Sequence, residues 1–73
     1  MYDYSKLLGR IIEKCGSQGA FAKEMGVSER TMSLKLTNKI PFKQTEITLA
    51  CEKLGIEDCD IPSYFFRLKV QIA

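Results

Sequence analysis

The sequence of 73 residues contains no histidine and no tryptophan, only two prolines and an odd number of cysteines, three. Without histidine, the commonest general base and a common zinc ligand are missing. Cys15, Cys51 and Cys59 match no zinc-ligand spacing and cannot all pair. They are expected as reduced core or surface thiols, not as a disulfide framework. No apolar run approaches the length of a bilayer span, and Met1-Tyr2-Asp3-Tyr4 lacks the basic-then-apolar pattern of a secretory signal. A cytoplasmic location follows as the expectation. No glycine-rich loop for phosphates and no nucleophile beside an evident base is visible, so an enzyme is not expected, nor a cofactor, a metal or a small-molecule substrate.

What is present points to a small folded domain. A hydrophobic content of 45% argues against a disordered tail, and the length allows one domain, 1–73, near the lower limit for a self-sufficient core. Net charge is only +2, but it is unevenly spread. Residues 1–43 hold eight Lys or Arg against four acids, a net of +4. Residues 44–66 hold Lys53 against five acids, a net of −4, and Arg67 and Lys69 follow. A basic front and an acidic back suit an approach to phosphate.

Periodicity predicts helices. Asp3 can cap a first helix whose apolar stripe is Leu7, Leu8, Ile11, Ile12 and Cys15, and Gly16 ends it. Ser17 can cap a second helix carrying Phe21, Ala22 and Met25, with Gly19 an unfavourable residue inside it. Gly26 supplies a left-handed turn residue, Val27 plugs the angle, and Ser28 caps a third helix from about Glu29 to Thr37. Asn38 suits the end of that helix, and Pro41 prevents its continuation. A fourth helix runs from about Gln44 to Leu54, stopped by Gly55, with Ile56 closing over the core. The segment from Asp60 to Phe66 reads as a short capped helix with an aromatic inner side. Phe66, Leu68, Val70 and Ile72 then alternate with Arg67, Lys69 and Gln71, the period of a strand. Such a strand could pair with a second subunit or with the extended Met1–Tyr4; the alternative is a frayed tail.

The run Ser17-Gln18, Phe21-Ala22, Met25-Gly26-Val27-Ser28 and Met32-Ser33 resembles the helix-turn-helix of phage Cro and repressor proteins. Leu36-Thr37-Asn38-Lys39-Ile40-Pro41-Phe42, Glu46-Ile47 and Leu54-Gly55-Ile56 are similar to the small phage and prophage variety of that family. The opening Tyr2–Leu7 and the closing Tyr64-Phe65-Phe66 resemble small phage proteins of the same type, so the likeness covers about residues 4–66. It implies an all-α, lambda-repressor-like bundle of five helices, with 67–73 left as a strand or dimerisation tail. It also implies sequence-specific binding of double-stranded DNA, regulation of a phage or prophage operator of near-palindromic sequence, a homodimer at least on DNA, and a bacterial host. Asn38 in place of the usual Gly, Ile40 at an often basic position, and Lys43 in place of a small hydroxyl residue depart from the pattern.

Under that reading Glu29, Arg30 and Ser33, on the early outer side of the third helix, are the candidates for base contacts. A bidentate Arg30–guanine pair would contribute about 1–3 kcal/mol of discrimination. Ser17, Gln18, Ser28, Thr31, Lys35, Thr37, Asn38, Lys39 and Lys43 are the candidates for contacts to the DNA backbone. Leu34 could meet a thymine methyl, a partner or the fourth helix, and Tyr64, Phe65 and Phe66 close the core or form a dimer surface. Competing readings on the same fold are an antitoxin or protein-interaction adaptor, and a phage recombination or architectural factor.

Overall fold

A computed structural model describes residues 1–69. Five helices form an all-α bundle: α1 (Ser5–Cys15), α2 (Gln18–Met25), α3 (Glu29–Leu36), α4 (Gln44–Leu54) and α5 (Ile61–Phe65), with a single 3-10 turn, Asp58–Asp60, ahead of α5. The boundaries follow from capping chemistry. The Ser17 hydroxyl accepts from the Ala20 amide (3.0 Å) and the Ser28 hydroxyl from the Thr31 amide (3.1 Å), each satisfying a donor that a helix start leaves open. The Asp3 carboxylate takes the Ser5 amide (2.9 Å); the Ser5 hydroxyl first, and then this amide, hold its carboxyl below the ordinary value. Lys43 cannot cap with its side chain. Glu46 serves instead, reaching back to the Lys43 amide (2.8 Å), the carboxylate half of a capping box.

The core is centred on side chains without exposure or nearly so: Leu7, Ile11, Phe21, Met32, Leu54 and Phe65. Ala22 and Ala50, equally buried, let crossing helices come close. Other apolar residues of the helices and turns are less buried, Leu8 and Cys15 of the expected α1 stripe among them. Ile12 is 53% exposed, because it lies about 100° round α1 from Ile11, off the inward face. Val27 and Ile47 are half-buried and pack at the core's edge. Arg10, one of the cations counted toward the basic front, instead ties α1 to the end of α4. Its Nε donates to the Leu54 carbonyl (2.9 Å) and its Nη2 to the Gly55 carbonyl (3.2 Å), where the helix leaves carbonyls unsatisfied.

The expected C-terminal strand is an isolated antiparallel bridge between Tyr2 and Leu68. The Asp3 amide donates to the Arg67 carbonyl (2.6 Å) and the Lys69 amide to the Met1 carbonyl (3.1 Å). Phe66 and Leu68 are both exposed, so the alternation buries no face here; Val70, Gln71 and Ile72 lie outside the described residues. Among the described residues, no helix is long and apolar enough to cross a membrane.

Candidate protein-interaction surface

The residues expected to meet DNA divide into two groups. Glu29, Arg30 and Ser33 stand exposed on the first turns of α3, with Ser17 exposed and Gln18 half-buried at the start of α2. Glu29 folds back over Gly19, where its carboxylate occupies the space a β-carbon would take. The helix-breaking glycine within α2 thus accommodates an acid from the next helix. An acid at this edge weakens the case for a surface facing phosphate.

The second group is largely engaged within the protein. Lys35 is 3% exposed. Its Nζ bonds the Glu46 carboxylate (2.8 Å) and the Pro41 carbonyl (3.2 Å) and lies 5.9 Å from the centre of the Phe42 ring. Lys35 is therefore not a phosphate contact. The cause is Glu46, eleven residues on, whose position depends on where α4 begins. Burial by itself would raise the Glu46 carboxyl. The hydrogen bonds from Lys35 and from the Lys43 amide, and the charge of both lysines, outweigh it and bring the carboxyl below its ordinary value.

Thr37 turns its hydroxyl back to the Ser33 carbonyl (2.8 Å), and the Ser28 and Thr31 hydroxyls bond each other (3.0 Å). Asn38 sits in the left-handed region (φ 66°), as its place after the helix suggested. Both ends of its amide, however, are taken by Tyr2: Oδ1 accepts from the Tyr2 amide (2.8 Å) and Nδ2 donates to the Tyr2 carbonyl (2.9 Å). Leu34 is half-buried, and its carbonyl closes the helix by accepting from the Lys39 (2.8 Å) and Ile40 (3.2 Å) amides. Of the nine expected backbone contacts, Lys39 and Lys43 are the two exposed cations. The basic front is thinner than the sequence count implies.

Beside the end of α3 lies a cleft of about 430 Å³, lined by Tyr2, Tyr4, Ile40, Phe42, Ile47 and Phe66 among others. A second cleft of about 470 Å³, reaching Gln44, Thr48 and Ile61, shares Phe42, Ile47 and Phe66 with the first. Four aromatic contacts run through this region: Phe66 meets Tyr2 edge-on (5.8 Å), Tyr2 meets Tyr4 (6.1 Å), Tyr4 meets Phe42 (5.4 Å) and Phe42 meets Phe65 (5.4 Å). Phe65 closes the core, 1% exposed, while its neighbour Phe66 is 49% exposed. Ile40, Leu68 and Met1 are exposed as well. Lys39, Lys43, Arg67 and Lys69, all exposed, each adjoin one of these apolar residues in the chain. The sequence marked Ile40 as an oddity and the three aromatics as core or interface. It did not join them, because Tyr2, Phe42 and Phe66 lie far apart in sequence and meet through contacts between distant segments.

A different cluster has donor atoms close enough for a metal: Glu57, Cys59 and Asp60, all exposed, lie with their ligand atoms within 4.8 Å of one another. The Asp60 charge first, then slight burial and Glu57, push the Cys59 thiol upward. A thiol kept protonated is a poor ligand.

The family model described as "Protein of unknown function (DUF739)" matches residues 1–68. No curated protein matches the chain. The solution structure of the modulator of repression (MOR) of the temperate bacteriophage TP901-1 from Lactococcus lactis superposes with a TM-score of 0.82. The two are 56% identical, over 96% of this chain and 95% of that one. This likeness overturns the Cro/repressor assignment. With it go sequence-specific binding of double-stranded DNA as the main function, the near-palindromic operator and the operator-bound homodimer. The chain is similar to a modulator of repression, and of the expected backbone contacts Lys35 is buried and Asn38 is engaged by Tyr2.

Proposed function

The chain belongs to the DUF739 family, and from that premise we propose that it is a phage or prophage regulatory protein that modulates repression by binding another protein. The observation that carries this is the 56% identity to a phage modulator of repression over nearly the whole chain. It is a regulator and not an enzyme, as that likeness indicates. Of the readings open from the sequence, the protein-interaction adaptor is the one favoured, working as one domain in the cytoplasm of a bacterial host.

The partner is the repressor whose action is modulated, and the paired clefts are the docking surface. Exposed apolar groups gathered around a cleft mark interaction sites more than scattered ones do. Aromatic walls supply much of the contact energy of such sites. The exposed Lys39, Lys43, Arg67 and Lys69, each next in the chain to one of these apolar residues, favour a partner segment with apolar anchors flanked by Asp or Glu.

The test is a calorimetric titration of the chain with the repressor of its own phage or prophage, using wild type and Phe66→Ser. Binding that drops at least about ten-fold in the variant, while Arg30→Ala is unchanged, supports docking at the clefts. Equal loss in both variants would move the surface to the front of α3. No binding of folded protein to the repressor would refute the proposal.

A further inference from the structure

We infer that Asn38 is a positioning residue for the cleft: its side-chain amide holds Tyr2, and through Tyr2 an aromatic wall of the docking surface, in place. The left-handed backbone at position 38 is one that glycine adopts without steric cost, so the turn alone does not explain an asparagine. The side chain does. Its acceptor takes the Tyr2 amide (2.8 Å) and its donor reaches the Tyr2 carbonyl (2.9 Å), across 36 residues of sequence. These two bonds give an extended residue what a neighbouring strand would give it. On the opposite edge the Asp3 amide and the Met1 carbonyl bond Arg67 and Lys69, so Met1–Asp3 is held from both sides.

Tyr2 is half-buried whereas Tyr4 is buried, so burial fixes the first ring less firmly than the second. The hydrogen bonds of Asn38 therefore decide where the Tyr2 ring stands against Phe66 and Tyr4. Glycine at 38 keeps the turn and loses both bonds. Aspartate keeps an acceptor, loses the donor, and sets a carboxylate against the Tyr2 carbonyl.

The inference rests on the docking role proposed for the cleft, but its test needs the full chain alone. Wild type, Asn38→Gly and Asn38→Asp are compared by amide hydrogen exchange and aromatic ring shifts in NMR, with thermal unfolding alongside. The expected result is an unfolding midpoint for Asn38→Gly close to wild type, with Tyr2 amide exchange at least about ten-fold faster. The Tyr2 and Phe66 rings move toward random-coil shifts, and Leu7, Ile11 and Leu54 amides keep their protection. Asn38→Asp, which keeps the acceptor for the Tyr2 amide, shows a smaller acceleration than Asn38→Gly. Unmoved Tyr2 and Phe66 signals in Asn38→Gly would overturn the inference, leaving Asn38 to close α3 and nothing more. Global unfolding of Asn38→Gly would overturn it too, by making the residue a determinant of the fold. Release of Tyr2 in a chain that binds no repressor would uphold the positioning role and refute the docking role separately.

Discussion

At the start of α3, Glu29, Arg30 and Ser33 stand in solvent, whereas at its end Lys35, Thr37 and Asn38 bond within the protein. Both ends are polar, and both were read from the sequence as meeting the same ligand. What separates them is the reach of neighbouring segments. The front faces outward past α2, while the back is met by Glu46 from α4 and by Tyr2 from the far end of the chain. A polar residue on a short helix is thus committed by partners that local pattern does not reveal.

The contrast breaks most severely at Lys35. Lys35→Ala leaves a partly buried Glu46 without its cation and should lower stability by about 3 kcal/mol, read by urea unfolding. Lys35→Met keeps the buried stem but not the cation, and should restore only the packing share of that loss. A loss under about 0.5 kcal/mol in the alanine variant, the range of an ordinary surface change, would place Lys35 with the front residues after all.

Acid probes the same pair. The folded Glu46 carboxyl lies below its ordinary value of 4.5, so its stabilisation is fully present above that value and is lost as pH falls through the lower folded one. Wild-type unfolding midpoints should therefore drop on acidification more than those of Lys35→Met, which lacks the cation. Parallel curves for the two proteins would count against the pair as an acid-sensitive tie.

Smaller effects sharpen the other side. Gly19→Ala meets only the flexible tip of the exposed Glu29, which can swing away, and it should stabilise α2 by about 0.5–1 kcal/mol in thermal or urea unfolding. A destabilisation of that size would mean that Glu29 is fixed over α2 and not a solvated side chain. Smallest of all, Arg30→Ala should alter stability by less than about 0.5 kcal/mol.

The helices were legible because their signals are local. Ser17, Ser28, Gly16, Gly26 and Gly55 stop or start helices through bonds and dihedral angles within a few residues, and each does so at the expected place. The candidate surface was not legible for the opposite reason. The cleft's aromatic wall draws on Tyr2, Phe42 and Phe66, and its anchoring amide on Asn38. Nothing in the spacing of those residues announces that they meet. The resemblance to Cro and repressor proteins was carried by the residues around the turn at Gly26, which establish how two helices cross but leave open what the outer surface binds.

The bridge between Tyr2 and Leu68 has a consequence in time. Met1–Asp3 are made before the other described residues, yet they find Arg67 and Lys69, their partners across the bridge, only after those have been made. The helices can collapse on one another while the chain is still being extended, since their contacts are closer in sequence. The cleft wall is thus the last part to assemble, and a nascent chain presents a bundle before it presents a surface that can engage a partner.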